Sequence, residues 1–185
     1  FRSAMNSATG YMVADLGADL PTGADERTIA LWLKPVTNNI DRKFLAYGNT
    51  TAGGAFTFTV EPVNGVMGVR LRHWGGNFTY PGVTLNEWQH VAIVVPPGST
   101  MTSDVQVYID GVNSPGTMTG TPDRNLVTGS SRFFVGTVHE SPGSVFDGTL
   151  DDVWFFDHAL TVEEIAAVIA GKPADTASSP IPQDA

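Results

Sequence analysis

The feature that most constrains this chain is the brevity of its apolar runs. Most alternate apolar with polar side chains, and they are bounded by Gly, Pro, Asn and Asp. Period-two alternation places successive side chains on opposite faces of a β-strand. Arg27–Pro35 sets Ile29, Leu31 and Leu33 against Ala30, Trp32 and Lys34. Ala55–Glu61 sets Phe56, Phe58 and Val60 against Thr57, Thr59 and Glu61, and Val66–His73 sets Val69 and Leu71 against Arg70 and Arg72. Lys43–Gly48, Glu87–Val95, Asp104–Ile109, Arg132–Thr137 and Phe146–Phe156 read as further strands. Glu87–Val95 is apolar on both faces, the pattern of a central strand covered on both sides. Asp110-Gly111 marks a tight hairpin, because both residue types tolerate positive φ. About ten strands at this spacing predict an all-β fold, a two-sheet antiparallel sandwich or jelly roll.

One helix is expected near the end. Thr161 and Glu164 have capping-box spacing, Leu160 precedes them as a staple, Ile165, Val168 and Ile169 form one stripe, and Gly171 closes it. Residues 1–172 read as one domain. Residues 173–185, rich in Ala, Ser, Pro and Asp, read as a linker or tail toward adjacent domains of the same parent chain. The opening Phe1-Arg2-Ser3, without Met or an apolar signal core, reads as the start of a processed or excised piece.

Composition then excludes function classes. A net charge of −9 over 185 residues gives no basic face for phosphates, so no nucleic-acid partner is expected. No apolar run approaches the roughly 18 residues of a membrane helix, so no membrane insertion is expected. With no Cys, thiol nucleophiles and thiolate metal sites are excluded. The low Lys content, the acidity and the wealth of Thr, Gly and Asn resemble secreted or cell-surface bacterial modules. There is no GxSxG, no HExxH and no phosphate-binding loop. Glycoside hydrolysis normally needs two carboxyl groups facing one cleft, and no strand carries such a pair on one face. No enzymatic activity is expected.

The best binding candidate is the segment from Arg70 to Pro81. Arg70, Arg72 and Trp74 share a face by alternation, His73 lies beside them, and Asn77 and Tyr80 follow the Gly75-Gly76 bend. Sugars present apolar CH faces to a flat ring and hydroxyls to Arg, Asn and His. Trp74 or Tyr80 would stack; Arg72, His73 and Asn77 would hydrogen-bond. The competing reading has Trp74 capping the core edge beside solvated arginines. His139, in the His139–Gly143 turn, is a second rim candidate. Trp32 and Trp88 lie within predicted strands and read as core; Trp154 is left open. Asp151 shares a face with Val153 and Phe155 by alternation. A carboxylate drawn to the protein edge needs compensation, either from a hard cation such as calcium or from backbone amides or an Arg.

Several segments, in order, resemble the concanavalin A-like (laminin-G-like) jelly rolls. They are Thr28-Ile29-Ala30-Leu31-Trp32-Leu33-Lys34-Pro35, Glu87-Trp88-Gln89-His90-Val91-Ala92, Val107-Tyr108-Ile109-Asp110-Gly111, and the closing run from Phe146 through Asp151-Asp152-Val153 to Leu160-Thr161 and Glu164-Ile165. The resemblance implies two antiparallel sheets, one concave, with ligands on that face or its rim loops. It also implies a structural calcium ion near Asp151, although Arg2 stands where the family's N-terminal acidic residue is expected. The Glu-x-Asp-x-x-Glu strand of glucan-hydrolysing relatives is missing. The expectation is a non-catalytic carbohydrate-binding module of a secreted multidomain protein, its partner a polysaccharide or other glycan. The alternative is a structural or adhesive domain that contacts protein.

Overall fold

The computed structural model describes residues 10–14, 20–37, 42–49, 51–73, 75–119, 123–129, 132–137 and 144–171. Twelve strands and one helix lie in them: β1 (Met12–Ala14), β2 (Arg27–Pro35), β3 (Lys43–Gly48), β4 (Ala55–Val63), β5 (Val66–Arg72), β6 (Asn77–Pro81), β7 (Gln89–Val95), β8 (Gln106–Ile109), β9 (Val112–Ser114), β10 (Thr117–Thr119), β11 (Phe133–Val135), β12 (Gly148–Phe156) and α1 (Val162–Ile169). They form a seven-stranded sheet, β1-β11-β3-β4-β5-β6-β10, and a five-stranded sheet, β12-β2-β7-β8-β9. Every strand pair is antiparallel. This is the expected sandwich of two sheets.

The inner faces supply the main core. Ile29, Leu31 and Leu33 of β2 and Val91, Ile93 and Val95 of β7 meet Phe56, Phe58 and Val60 of β4, Val69 and Leu71 of β5, and Phe78 and Tyr80 of β6. Each such side chain stabilises the fold by about 1.5–3 kcal/mol on burial. Rings knit the layers together: Phe155 meets Tyr47 at 6.0 Å and Phe133 at 5.6 Å between centroids.

A second apolar cluster covers the outside of the five-stranded sheet. Ala30, Ala92, Val94 and Phe156 lie against Leu160, Ile165 and Val168. This is why β7 is apolar on both faces. The helix starts as expected: the Thr161 hydroxyl accepts from Glu164 N–H, and the Glu164 carboxylate accepts from Thr161 N–H at 2.8 Å.

Three expectations need correction. Glu87 and Trp88 belong to the turn before β7, where Trp88 is 44% exposed rather than core. Trp32 is half-buried on the outer side of β2, edge-on to His90 at 5.5 Å. The closing strand, finally, does not alternate without interruption. A bulge lies between Asp151 and Trp154, with Asp152 at φ 46°. Leu150 pairs with Leu33, Asp151 with Trp32, and Phe155 with Ile29. The extra residue resets the phase. Leu150, Val153 and Phe155 all face the core, Asp151 faces outward, and Trp154 joins the helix side, stacked on Phe156 at 6.3 Å.

Candidate functional site

The outward face of the seven-stranded sheet is built from the polar half of each alternation. The hairpin joining β4 to β5 turns through Asn64 (φ 51°) and Gly65 (φ 82°), the two-residue turn whose twist suits antiparallel strands. It fixes Thr57 opposite Arg72, Thr59 opposite Arg70, and Glu61 opposite Gly68. The next strands continue the rows: Arg70 faces Thr79, Thr79 faces Thr117, and Asn77 faces Thr119. Threonine suits these positions because its branched Cβ packs on a pleated surface; Thr57, Thr59 and Thr79 are buried there.

Glu61 is the centre of this face. Its side chain is 1% exposed, against 31% for Arg72 and 17% for Arg70. Arg72 grips it with two bonds, Nε to Oε1 at 2.6 Å and Nη2 to Oε2 at 2.8 Å. Arg70 Nη1 donates to Oε2 at 3.2 Å, and the Thr59 hydroxyl donates to Oε1. Both carboxylate oxygens are thus filled by donors. The buried charge is more than balanced by two guanidinium groups, which is how a carboxylate survives out of water. On the same face Arg70 Nε, Thr79 Oγ1 and Thr119 Oγ1 are buried without a hydrogen-bond partner among the described residues.

The residues singled out from sequence divide accordingly. Arg70, Arg72 and Asn77 come together on this face. Tyr80 does not: it is 1% exposed in the core, and its hydroxyl donates to Val105 O at 2.9 Å, tying the two sheets. The odd spacing from the outward Thr79 turns it inward, so it is no stacking platform. His73 is fully buried at the strand end. Burial lowers its imidazole to about 4, although the backbone of Gly53 and Asn125 partly offsets this, so the ring is neutral at physiological pH. His73 N–H donates to Asn77 Oδ1 at 3.2 Å, which orients the asparagine and makes His73 a support rather than a contact. Trp74 and His139 lie outside the described residues, as do residues 172–185. Thr57, Thr59, Glu61, Thr79, Thr117 and Thr119 complete the face; the cross-strand register that gathers them is not visible in any one strand's alternation.

Asp151, the residue expected beside calcium, lies at the bulge on the outward side of β12. The bulge turns it away from the core, so no carboxylate is drawn inward, and its Oδ1 accepts from Asp152 N–H at 2.9 Å. Among the described residues no three His, Asp or Glu side chains converge as a metal cage would require.

An open cleft of about 620 Å³ lies at one end of the sandwich, lined by Leu20, Thr22, Asp25, Glu26, Pro97 and Asp157 among others. Its carboxylates have local tasks. Asp25 accepts from Thr22 N–H, Glu26 from Ala159 N–H, and Asp157 contacts His158 Nδ1 at 3.1 Å.

The chain belongs to the concanavalin A-like lectin/glucanases superfamily, whose family model matches residues 6–166. Among curated proteins, no sequence matches. Similar solved structures include domain 4 of an extracellular arabinanase from Geobacillus stearothermophilus, in complex with arabinotriose. It is 17% identical with a TM-score of 0.62, over 90% of this chain and 75% of that one. The IT-sialidase CBM40 of Ruminococcus gnavus, bound to α2,3-sialyllactose, is 18% identical with a TM-score of 0.59, over 90% and 95% of the two chains. A heptameric SAP-like pentraxin from Limulus polyphemus is 16% identical with a TM-score of 0.55, over 85% and 81%. At these identities the likeness is one of fold.

Proposed function

We propose that this chain is a non-catalytic carbohydrate-binding domain of a secreted protein with further domains, and that it holds glycan on the outward face of the seven-stranded sheet. The observation that carries the reading is the cross-strand array that gathers Arg70, Arg72, Asn77, Thr79 and Thr117 on this face, with the Arg70 and Arg72 side chains still 17% and 31% exposed. Part-exposed guanidinium donors are groups that the oxygens of a polyhydroxylated ligand can meet. Two similar folds were solved with oligosaccharides, arabinotriose and sialyllactose, which supports glycan as the ligand class. Binding without hydrolysis fits the single carboxylate found on this face among the described residues. Glu61 is filled by four donor contacts, which leaves neither of its oxygens open to a substrate. No described helix is long and apolar enough to cross a membrane.

Affinity electrophoresis against polysaccharides retained in a broad glycan screen tests the reading. Arg72→Ala weakens retention about ten-fold, the loss expected for one charge-assisted hydrogen bond. Val112→Ser, at an exposed position on the other sheet, leaves retention unchanged. Equal retention of wild type and Arg72→Ala would remove this face from the binding site.

A further inference from the structure

The donor and acceptor inventory of the same face narrows the ligand. A guanidinium group carries five N–H donors and accepts nothing. Arg72 spends Nε and Nη2 on Glu61, and Arg70 spends Nη1. Among the described residues neither side chain makes another hydrogen bond. Arg72 Nη1 and Arg70 Nη2 therefore remain as donors toward a ligand, while Arg70 Nε, also without a partner among the described residues, is buried. The carboxylate that a sugar hydroxyl would donate to is already saturated: Oε1 takes Thr59 and Arg72, Oε2 takes Arg72 and Arg70.

A neutral sugar brings hydroxyls that both donate and accept, and sites for such sugars offer acceptors as well as donors. Here the unspent groups of the central cluster are donors, apart from the hydroxyls of Thr79 and Thr119. Charge points the same way. Two arginines against one glutamate leave the cluster at +1, in a chain whose net charge is −9. A positive centre is retained on this face against the sign of the whole molecule. Planar guanidinium groups with paired free donors match carboxylate and sulfate oxygens, which accept and do not donate.

We infer that the ligand of this face is an anionic glycan, one whose carboxylate or sulfate group seats on Arg70 and Arg72 beside Thr79. This rests on the glycan reading above and adds the charge of the sugar. Both anions share the chemistry that the cluster recognises, a cluster of acceptor oxygens bearing negative charge.

The test is a glycan array of paired probes. Uronic-acid and sialic-acid oligosaccharides are printed beside their carboxyl methyl esters, and sulfated oligosaccharides beside their desulfated forms. The expected result is retention on acidic members, at least a ten-fold loss on the neutral partner of each retained probe, and weakening as salt is raised. Retention on carboxylated probes alone, or on sulfated probes alone, identifies which anion is bound. Arg70→Met, checked for folding by circular dichroism, abolishes the acidic-over-neutral preference, and Arg70→Lys restores part of it. Equal retention of acidic and neutral partners would overturn the inference while leaving the glycan reading standing. Retention of nothing on the array would overturn both. A full acidic preference in folded Arg70→Met would place the anion elsewhere.

Discussion

Glu61 shows how a single residue organises the face. Removing its charge leaves Arg70 and Arg72 facing one another across a buried neutral amide. Breaking one partner out of a buried ion cluster costs several kcal/mol; with both arginines partly open to water, Glu61→Gln is expected to destabilise the fold by about 2–3 kcal/mol. Urea unfolding measures this, and a change below about 0.5 kcal/mol would show that the cluster is not a structural unit. Two histidines make a second residue-scale prediction. Burial lowers both His73 and His90 to about 4 from an ordinary 6.5, opposed at His90 by Asp110. Between those values the unfolded chain binds protons that the folded chain refuses. Stability is therefore full above pH 6.5 and is lost as pH falls toward 4, by on the order of 3 kcal/mol for each histidine. Replacing both with Gln flattens the dependence of unfolding free energy on pH in this window; an unchanged slope would assign it to other groups.

At the scale of elements, what the sequence disclosed followed how local the governing interaction is. The bounds of β2 and β3, the capping box of α1 and the Asp110-Gly111 turn were legible, since each depends on neighbours within a few residues. The bulge at Asp152 was not: a polar residue fits an alternating pattern equally well as a bulged one. That missed residue put Asp151 on the inner face, where the structure has it on the outer one. The Glu61 cluster was partly legible. Alternation put Glu61, Arg70 and Arg72 on polar faces, and the Asn64-Gly65 turn, read as a two-residue hairpin, would have set Thr59 against Arg70 and drawn them together. The bulge has its own test. Asp152→Val and Asp152→Gly both lose the carboxylate, but only valine clashes in the left-handed conformation that Asp152 adopts. The Val variant is expected to be less stable than the Gly variant by about 1 kcal/mol in chemical unfolding. Equal stabilities would mean that the strand runs without the bulge.

At the scale of the whole molecule, the two sheets have different outer surfaces. The five-stranded sheet is capped by α1 through an apolar cluster. The seven-stranded sheet keeps a polar threonine and arginine face around one saturated carboxylate. Among the described residues no three His, Asp or Glu side chains gather as a metal cage would require, so a chelator is expected to leave the melting temperature unchanged; a fall of several degrees would reveal a cation site. The most direct test of the face itself is a map of backbone amide shifts during titration with a retained oligosaccharide. The expected shifts gather on β4, β5, β6 and β10, at Thr57, Thr59, Arg70, Arg72, Thr79 and Thr117. Shifts gathered instead on α1, or around Asp25, Glu26 and Asp157, would contradict the assignment of this face as the glycan-binding surface.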